Sequence, residues 1–281
     1  MTEIVRPLEA AVAVIEDGMT VVVPPDYSGV AMEATRALVR RGAQHLHLLT
    51  LPTSSLQADL LVGAGALASI ETSAVSLGEM GAGPRFAAAV TAGKIALKDA
   101  TCPALHAALQ ASEKGVPFLP LRGVIGSDLL KVRPDWKVID NPFAENDPIL
   151  LVPAIRPDVA LFHAPFADRH GNVWVGRRRE LFTMAHASKQ TVATVEEIRD
   201  GNLLEDETLA GATIPAFYVE AVAVAKHGTW PLKFGTRYAE DTAHLQEYMR
   251  LAASEDGFSA RSIELAHDAE DFKTSDLLSS Q

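Results

Sequence analysis

The feature that most limits the fold is an alternation over the first 120 residues. Short unbroken apolar runs there trade places with amphipathic segments that glycine closes. Residues 19–23 are apolar apart from Thr20 and lack the polar alternation of a strand with one wet face, so they suit a sheet covered on both sides. Leu8, Val12 and Ile15 stand at i, i+4 and i+7, with Pro7 ahead and Gly18 beyond, which is the punctuation of a short helix. Ala31, Ala34 and Leu38 mark a second helix, stopped by Gly42. Residues 45–49, 59–62 and 70–75 read as further buried strands. Residues 86–90 begin a helix that Gly93 ends, and Leu105, Ala108 and Leu109 share one face of another, terminated by Gly115 and Pro117. The pattern predicts an α/β fold, a mostly parallel open sheet with helices on both faces. Beyond Pro120 it loosens into shorter strands and turns, with helices expected near residues 178–188 and 239–252. One domain over residues 1–272 is expected, followed by a polar, frayed tail over 273–281.

A chain of 281 residues, 48% hydrophobic and 22% charged, can bury a core without staples. Its net charge of −11 argues against a nucleic-acid surface, which needs a basic face, but leaves room for a local cation cluster facing a small phosphorylated ligand. The single cysteine, Cys102, excludes an intrachain disulfide and a cysteine-built zinc site. Glu3 and Arg6 stand near the amino end without an apolar h-region, and no apolar run approaches the ~18 residues of a membrane span. A soluble, cytoplasmic protein is expected, with no membrane and no nucleic acid among its partners.

Several stretches invite chemistry. Residues 63–68, Gly-Ala-Gly-Ala-Leu-Ala, match a dinucleotide fingerprint, yet that motif needs a helix directly after it, and residues 70–75 look extended. A glycine turn between two strands is the better reading. Gly78-Glu79-Met80-Gly81-Ala82-Gly83 follows a strand, where ligands of open α/β sheets settle; a plain surface connection explains it equally well. Cys102 precedes Pro103 at a helix start, where amide dipoles can activate a thiol, and His106 lies one turn on. A buried, inert cysteine is the commoner outcome. His163, Asp168 and His170 suggest a metal, but the turn between them makes joint ligation awkward, and Asp168 fits better as the cap of that turn. No metal is expected. Arg177-Arg178-Arg179 is the one dense basic run; a solvated helix start is preferred there over a site for a ligand phosphate or for a partner's acidic patch.

The order of motifs over most of the chain is similar to that of the A subunit of family I CoA-transferases, of the glutaconate CoA-transferase type. The resemblance rests on Ile139-Asp140-Asn141-Pro142-Phe143, Ile149-Leu150-Leu151-Val152-Pro153-Ala154, the run from Pro157 to Ala164, and Asp168-Arg169-His170-Gly171-Asn172-Val173. Gly18-Met19-Thr20-Val21, Asp59-Leu60-Leu61-Val62-Gly63-Ala64-Gly65, Gly115-Val116-Pro117-Phe118-Leu119-Pro120 and Val192-Ala193-Thr194-Val195-Glu196-Glu197-Ile198 extend it over roughly residues 7–230.

The resemblance implies a CoA-transferase fold and a heteromer with a homologous B subunit. CoA would move between an acyl-CoA and a small carboxylic or dicarboxylic acid, the thioester being substrate rather than a tightly bound cofactor. In such enzymes a glutamate of the B subunit takes up CoA as a glutamyl thioester. Glu145-Asn146-Asp147 is the nearest stretch here and falls in a non-catalytic loop, so the chain alone should be inert. The loop after the first strand would help hold the acyl oxyanion through Asp26, Tyr27, Ser28 and Gly29, while Ser76, Gly78 and Glu79 would line the acyl pocket. Where the family carries glycines this chain has Pro24 and Pro25, which lack N–H donors. That departure keeps open an acyl-CoA hydrolase or ring-cleaving relative, with Cys102 as the catalytic candidate, and a non-catalytic acyl-CoA-binding module.

Overall fold

A computed structural model of the chain describes residues 3–259. The first half runs α1 (Leu8–Val12), β1 (Thr20–Val23), α2 (Met32–Arg41), β2 (Leu46–Thr50), α3 (Leu56–Gly63), β3 (Leu67–Thr72), α4 (Pro84–Thr91), β4 (Ala96–Asp99) and α5 (Cys102–Glu113). The second half continues with β5 (Phe118–Leu121), α6 (Leu129–Val132), β6 (Lys137–Asp140), β7 (Pro148–Pro153), β8 (Val159–Asp168) and β9 (Val173–Trp174). It closes with α7 (Arg179–Ala187), β10 (Gln190–Arg199), α8 (Glu207–Ala210), β11 (Thr213–Ile214), β12 (Val219–Val224) and α9 (Thr242–Ala252).

Parallel pairing joins the strands of the main sheet in the order β12-β10-β8-β1-β2-β3-β4, and β9 and β11 add a short antiparallel extension beside the far end of β8. Every residue of β8 is buried, because both faces of the sheet are covered. Val21, Val23, Val159 and Leu161 point into a core closed by α1, α2 and α3. Val22, Ala160, Phe162 and Ala164 point the other way, against Leu105 and Leu109 of α5 and Leu181 and Met184 of α7. The expected parallel sheet with helices on both faces is therefore present.

One expected strand is a helix. Residues 59–62 belong to α3, in which Ala58 and Leu61 face the sheet while Leu56 and Leu60 pack against Leu245 and Tyr248 of α9. A helix buried on two sides has no polar stripe, so its short apolar run mimics a strand. Asp59, fully buried within it, accepts the Tyr248 hydroxyl at 2.6 Å and the Phe86 amide at 2.7 Å, which ties α9 and the start of α4 to α3. The glycine turn at Gly63 and Gly65 thus joins a helix to β3, not two strands, and no helix follows it. A Cβ at Gly63 would meet the Phe258 ring at 2.4 Å, so the turn is shaped by packing.

Strands β5, β7 and β6 form a separate antiparallel sheet. Its β6–β7 loop carries Glu145, and Asp147 there clamps Arg122 through two bonds of 2.8 and 2.7 Å. Helix α9 starts three residues later than expected, at Thr242, because Asp241 accepts the His244 amide and sets the cap there. The expected polar tail lies outside the described residues.

Tyr248→Phe should cost about 1–3 kcal/mol, since it leaves a buried Asp59 oxygen without its donor. Equilibrium urea unfolding reads this directly; an unchanged midpoint would show that α9 is not held through Asp59.

Candidate active site

The chain winds from β1 outward to β4, then returns and winds the other way through β8 to β12. The reversal falls between β1 and β8, and in open α/β sheets ligands settle beyond the carboxyl ends of the strands at such a point. The loop leaving β1 there holds Pro24 and Pro25, both buried, and then one turn of 3-10 helix over Asp26–Ser28. The Ser28 amide donates to the Pro25 carbonyl at 2.9 Å, which takes it out of any oxyanion hole. Gly29 follows with φ +93°, and its carbonyl accepts the His163 amide at 2.7 Å. A Cβ at this position would stand 2.1 Å from the His163 carbonyl oxygen, so only glycine lets the loop rest on β8.

The three side chains before Gly29 go to three places. Asp26 lines a cavity of about 320 Å³ together with Ser55, Gly78, Glu79 and Glu240. Its Oδ1 is buried without a hydrogen-bond partner among the described residues. Burial, opposed by Ser55 and reinforced by Glu240, raises this carboxyl to about 6. Tyr27 is 73% exposed. Its phenol is pushed above the ordinary value by partial burial, then by the charge of Glu180 and by nearby Cys102. Ser28 turns inward and hydrogen-bonds Glu180, in the first turn of α7.

Cys102 is the first residue of α5, after Thr101 as N-cap, and is exposed. Its sulfur lies 3.3 Å from Ser73 Oγ, so Ser73 and not His106 is its hydrogen-bond partner. His106 is half-buried, and burial lowers its pKa against the opposing pull of Glu180. Of the residues expected from the sequence, Tyr27, Ser28 and Cys102 thus gather around Glu180 and His106, while Asp26, Gly78 and Glu79 share the neighbouring cavity. Ser76 joins neither group; its hydroxyl donates to Gly81 at 3.2 Å and closes the glycine loop. Glu180 carries no signal in the sequence because an acidic residue in a helix's first turn is ordinary helix chemistry, and only the fold brings it under Ser28.

His163 is fully buried, and burial holds its imidazole below the usual value. The neutral ring donates from Nε2 to Glu196 Oε1 at 2.9 Å and accepts from Thr194 Oγ1 at Nδ1, also 2.9 Å. Burial alone would raise the Glu196 carboxyl, but the bonds from His163, the His227 amide and the Tyr238 hydroxyl outweigh it and bring it to about 2. This network fastens the segment that carries His227 and Tyr238 onto β8 and β10. Asp168 is the expected turn cap. It accepts from the amides of His170, Asn172 and Leu203 and from the Asn172 side chain, with distances of 2.7–3.0 Å. Among the described residues no cluster of His, Cys, Asp and Glu has the make-up of a metal site, and no helix is long and apolar enough to cross a membrane.

Residues 5–225 match the family model for Coenzyme A transferase. The chain is 31% identical over 279 residues to the A subunit of the 3-oxoadipate CoA-transferase of Pseudomonas knackmussii, covering 97% of this chain and 96% of that protein. It is 27% identical to the cholesterol ring-cleaving hydrolase IpdA subunit of Rhodococcus jostii, over 87% of this chain and 86% of that one. The crystal structure of glutaconate coenzyme A-transferase from Acidaminococcus fermentans superposes with a TM-score of 0.89 at 25% identity, covering 97% and 93% of the two chains. The chain belongs to the CoA-transferase family.

Two outcomes test the site's geometry. Asp26→Asn should flatten a fall in stability with pH. A folded-state pKa of about 6 against 3.8 unfolded means that the folded form keeps a proton the unfolded form has lost, so stability drops as pH rises between those values. The drop should be roughly 2–3 kcal/mol in the native chain and absent from the variant, measured by urea titration at fixed pH. Gly29→Ala should cost more than the ~1 kcal/mol of an ordinary glycine replacement, because positive φ and the contact with His163 act together. A variant as stable as the parent would show that the loop is not seated on β8.

Proposed function

We propose that this chain is the A subunit of a heteromeric CoA-transferase that moves CoA between an acyl-CoA and a small carboxylic or dicarboxylic acid. The observation that carries the reading is the gathering of Tyr27, Ser28 and Glu180 at the switch point of a chain that matches the family over residues 5–225. Relatives that bear the A-subunit name imply a second, different chain, and this protein offers a surface suited to one. Phe143, in the β6–β7 loop, is 95% exposed and shares a surface depression with Ile139 and Phe118 of the small sheet, a patch of the kind that inter-chain contacts cover.

In this reading a glutamate carboxylate of the B subunit attacks the thioester carbonyl and expels CoA as the thiolate, leaving a mixed anhydride. The thiolate then attacks the glutamyl carbonyl and releases the first acid as its carboxylate. The acceptor carboxylate attacks the resulting glutamyl thioester and expels the thiolate again, which takes the new acyl group from the second anhydride and restores the glutamate. This chain's part is to hold the acyl group and to stabilise the oxyanion. Pro24 and Pro25 give no amides, and the Ser28 amide is engaged by Pro25. The Tyr27 phenol takes over as donor: like any phenol it is protonated at neutral pH, and it stands exposed at the mouth of the site. Glu180 fixes Ser28 and so sets the turn from which Tyr27 projects.

A hydrolytic outcome is the second reading, favoured by the same absence of loop amides and by the similarity to the ring-cleaving hydrolase. The two part on one measurement. Co-expressed with its partner, the complex should transfer CoA to a short dicarboxylate and release little free thiol without an acceptor acid, whereas acceptor-independent thiol release supports hydrolysis. Tyr27→Phe should lower kcat by about 10²–10³, the range for one oxyanion donor. Glu145→Ala, in the β6–β7 loop, should leave kcat within about twofold, since it removes no group that touches substrate. A Tyr27→Phe enzyme of full activity would remove the phenol from the mechanism.

A further inference from the structure

Tyr27 also stands on the rim of a second space, a cleft of about 730 Å³ with walls from two directions. Arg177 and Arg178 enter from the β9–α7 side; Lys233 and Arg237 enter from the segment that the His163–Glu196–Tyr238 network fastens down. Among the described residues no carboxylate lines the cleft, in a chain whose net charge is −11. The Arg178 guanidinium lies over the Phe234 ring, 4.9 Å from its centre, and donates to the Val175 carbonyl at 3.3 Å. Burial pushes its pKa below the usual guanidinium value, and the nearby Arg177 and Arg237 push the same way against Glu180. Like charges held together in a partly dry space raise the energy of the free protein, and an anion relieves it. Bare backbone adds to the invitation. Gly176 and Gly235 flank the cleft with φ of +63° and +57°, and a Cβ at Gly235 would crowd Arg178 Nη2 at 3.2 Å.

We infer that this cleft seats the phosphates of the acyl-CoA, with Arg178 and Arg237 as their principal partners and the pantetheine arm running from them to the reacting thioester. The inference rests on the acyl-CoA reading above for the identity of the ligand, and on the cleft itself for the anion. A concave site with one half-buried arginine and aromatic walls fits a phosphorylated small molecule better than the acidic face of a protein, which would meet exposed cations on a flatter surface.

The test is charge reversal at the two exposed positions, Lys233→Glu with Arg237→Glu, in the complex with the B subunit. KM for acyl-CoA should rise about tenfold or more while kcat changes little, the signature of lost uniform binding. The rise should shrink as ionic strength increases. The matching acyl-pantetheine thioester, which carries no phosphate, should be turned over equally by parent and variant. Inorganic pyrophosphate should compete with acyl-CoA on the parent and lose that effect on the variant. An unchanged KM, or an equal loss with the pantetheine thioester, overturns the inference. So does a variant complex that falls apart on sizing, which would assign the cations to the B subunit. If the parent complex turns over no acyl-CoA, the functional reading fails separately; calorimetry with pyrophosphate on the full chain then decides whether the anion site stands.

Discussion

The contact on which the site depends is the bond from the His163 amide to the Gly29 carbonyl, 2.7 Å long, between the loop after β1 and the middle of β8. Between Ala160, where pairing with β1 ends, and Phe166, where pairing with β9 begins, strand β8 pairs with β10 alone, so its other edge has no strand against it where the sheet changes direction. Gly29 closes that edge by laying its backbone against it, with no room for a side chain. The Phe234 ring packs edge-on to His163 at 4.8 Å and would stand 3.2 Å from a Cβ at Gly29. Arg178 then covers Phe234. One stack of backbone, imidazole, phenyl ring and guanidinium therefore joins the loop after β1, the buried strand and the basic cleft.

This arrangement explains how an acidic chain maintains a cation cluster. The buried imidazole is neutral, so it adds no charge beneath Phe234, and Glu196 on its far side is ionised and takes three hydrogen bonds. Those bonds fix the backbone at His227 and the ring of Tyr238, between which Lys233 and Arg237 are displayed. The cost of bringing like charges together is met by a rigid, fully bonded support, the usual condition for a preorganised site.

Much of the fold was legible because glycine and proline punctuate it. The stops at Gly42 and Gly93 close α2 and α4 as expected. Residues 59–62 were misread because burial from both sides removed the polar face that marks a helix, leaving an apolar run with no period. At the candidate site, the sequence marks the loop after β1 but not how its side chains part. Asp26, Tyr27 and Ser28 are consecutive, so no spacing rule says that they face a cavity, a cleft and a helix respectively. Glu180 and the pairing of Arg178 with Arg237 depend on contacts between distant segments, for which one sequence carries no local signal.

The two prolines before Asp26 do more than delete donors. They remove two N–H groups, which taken alone is a loss for oxyanion binding. They also fix φ at two successive positions leading into the turn; Pro25 sits at φ −73° and ψ 163° and, through its carbonyl, anchors the Ser28 amide. A glycine pair would supply donors but leave the loop many conformations to lose on binding. The prolines leave few, and Gly29 against His163 removes most of the rest. What emerges from so constrained a turn is the direction of the Tyr27 side chain, with Ser28 held from below by Glu180. In the function proposed above, several backbone donors on a loose loop would be exchanged for one phenolic donor on a stiff one.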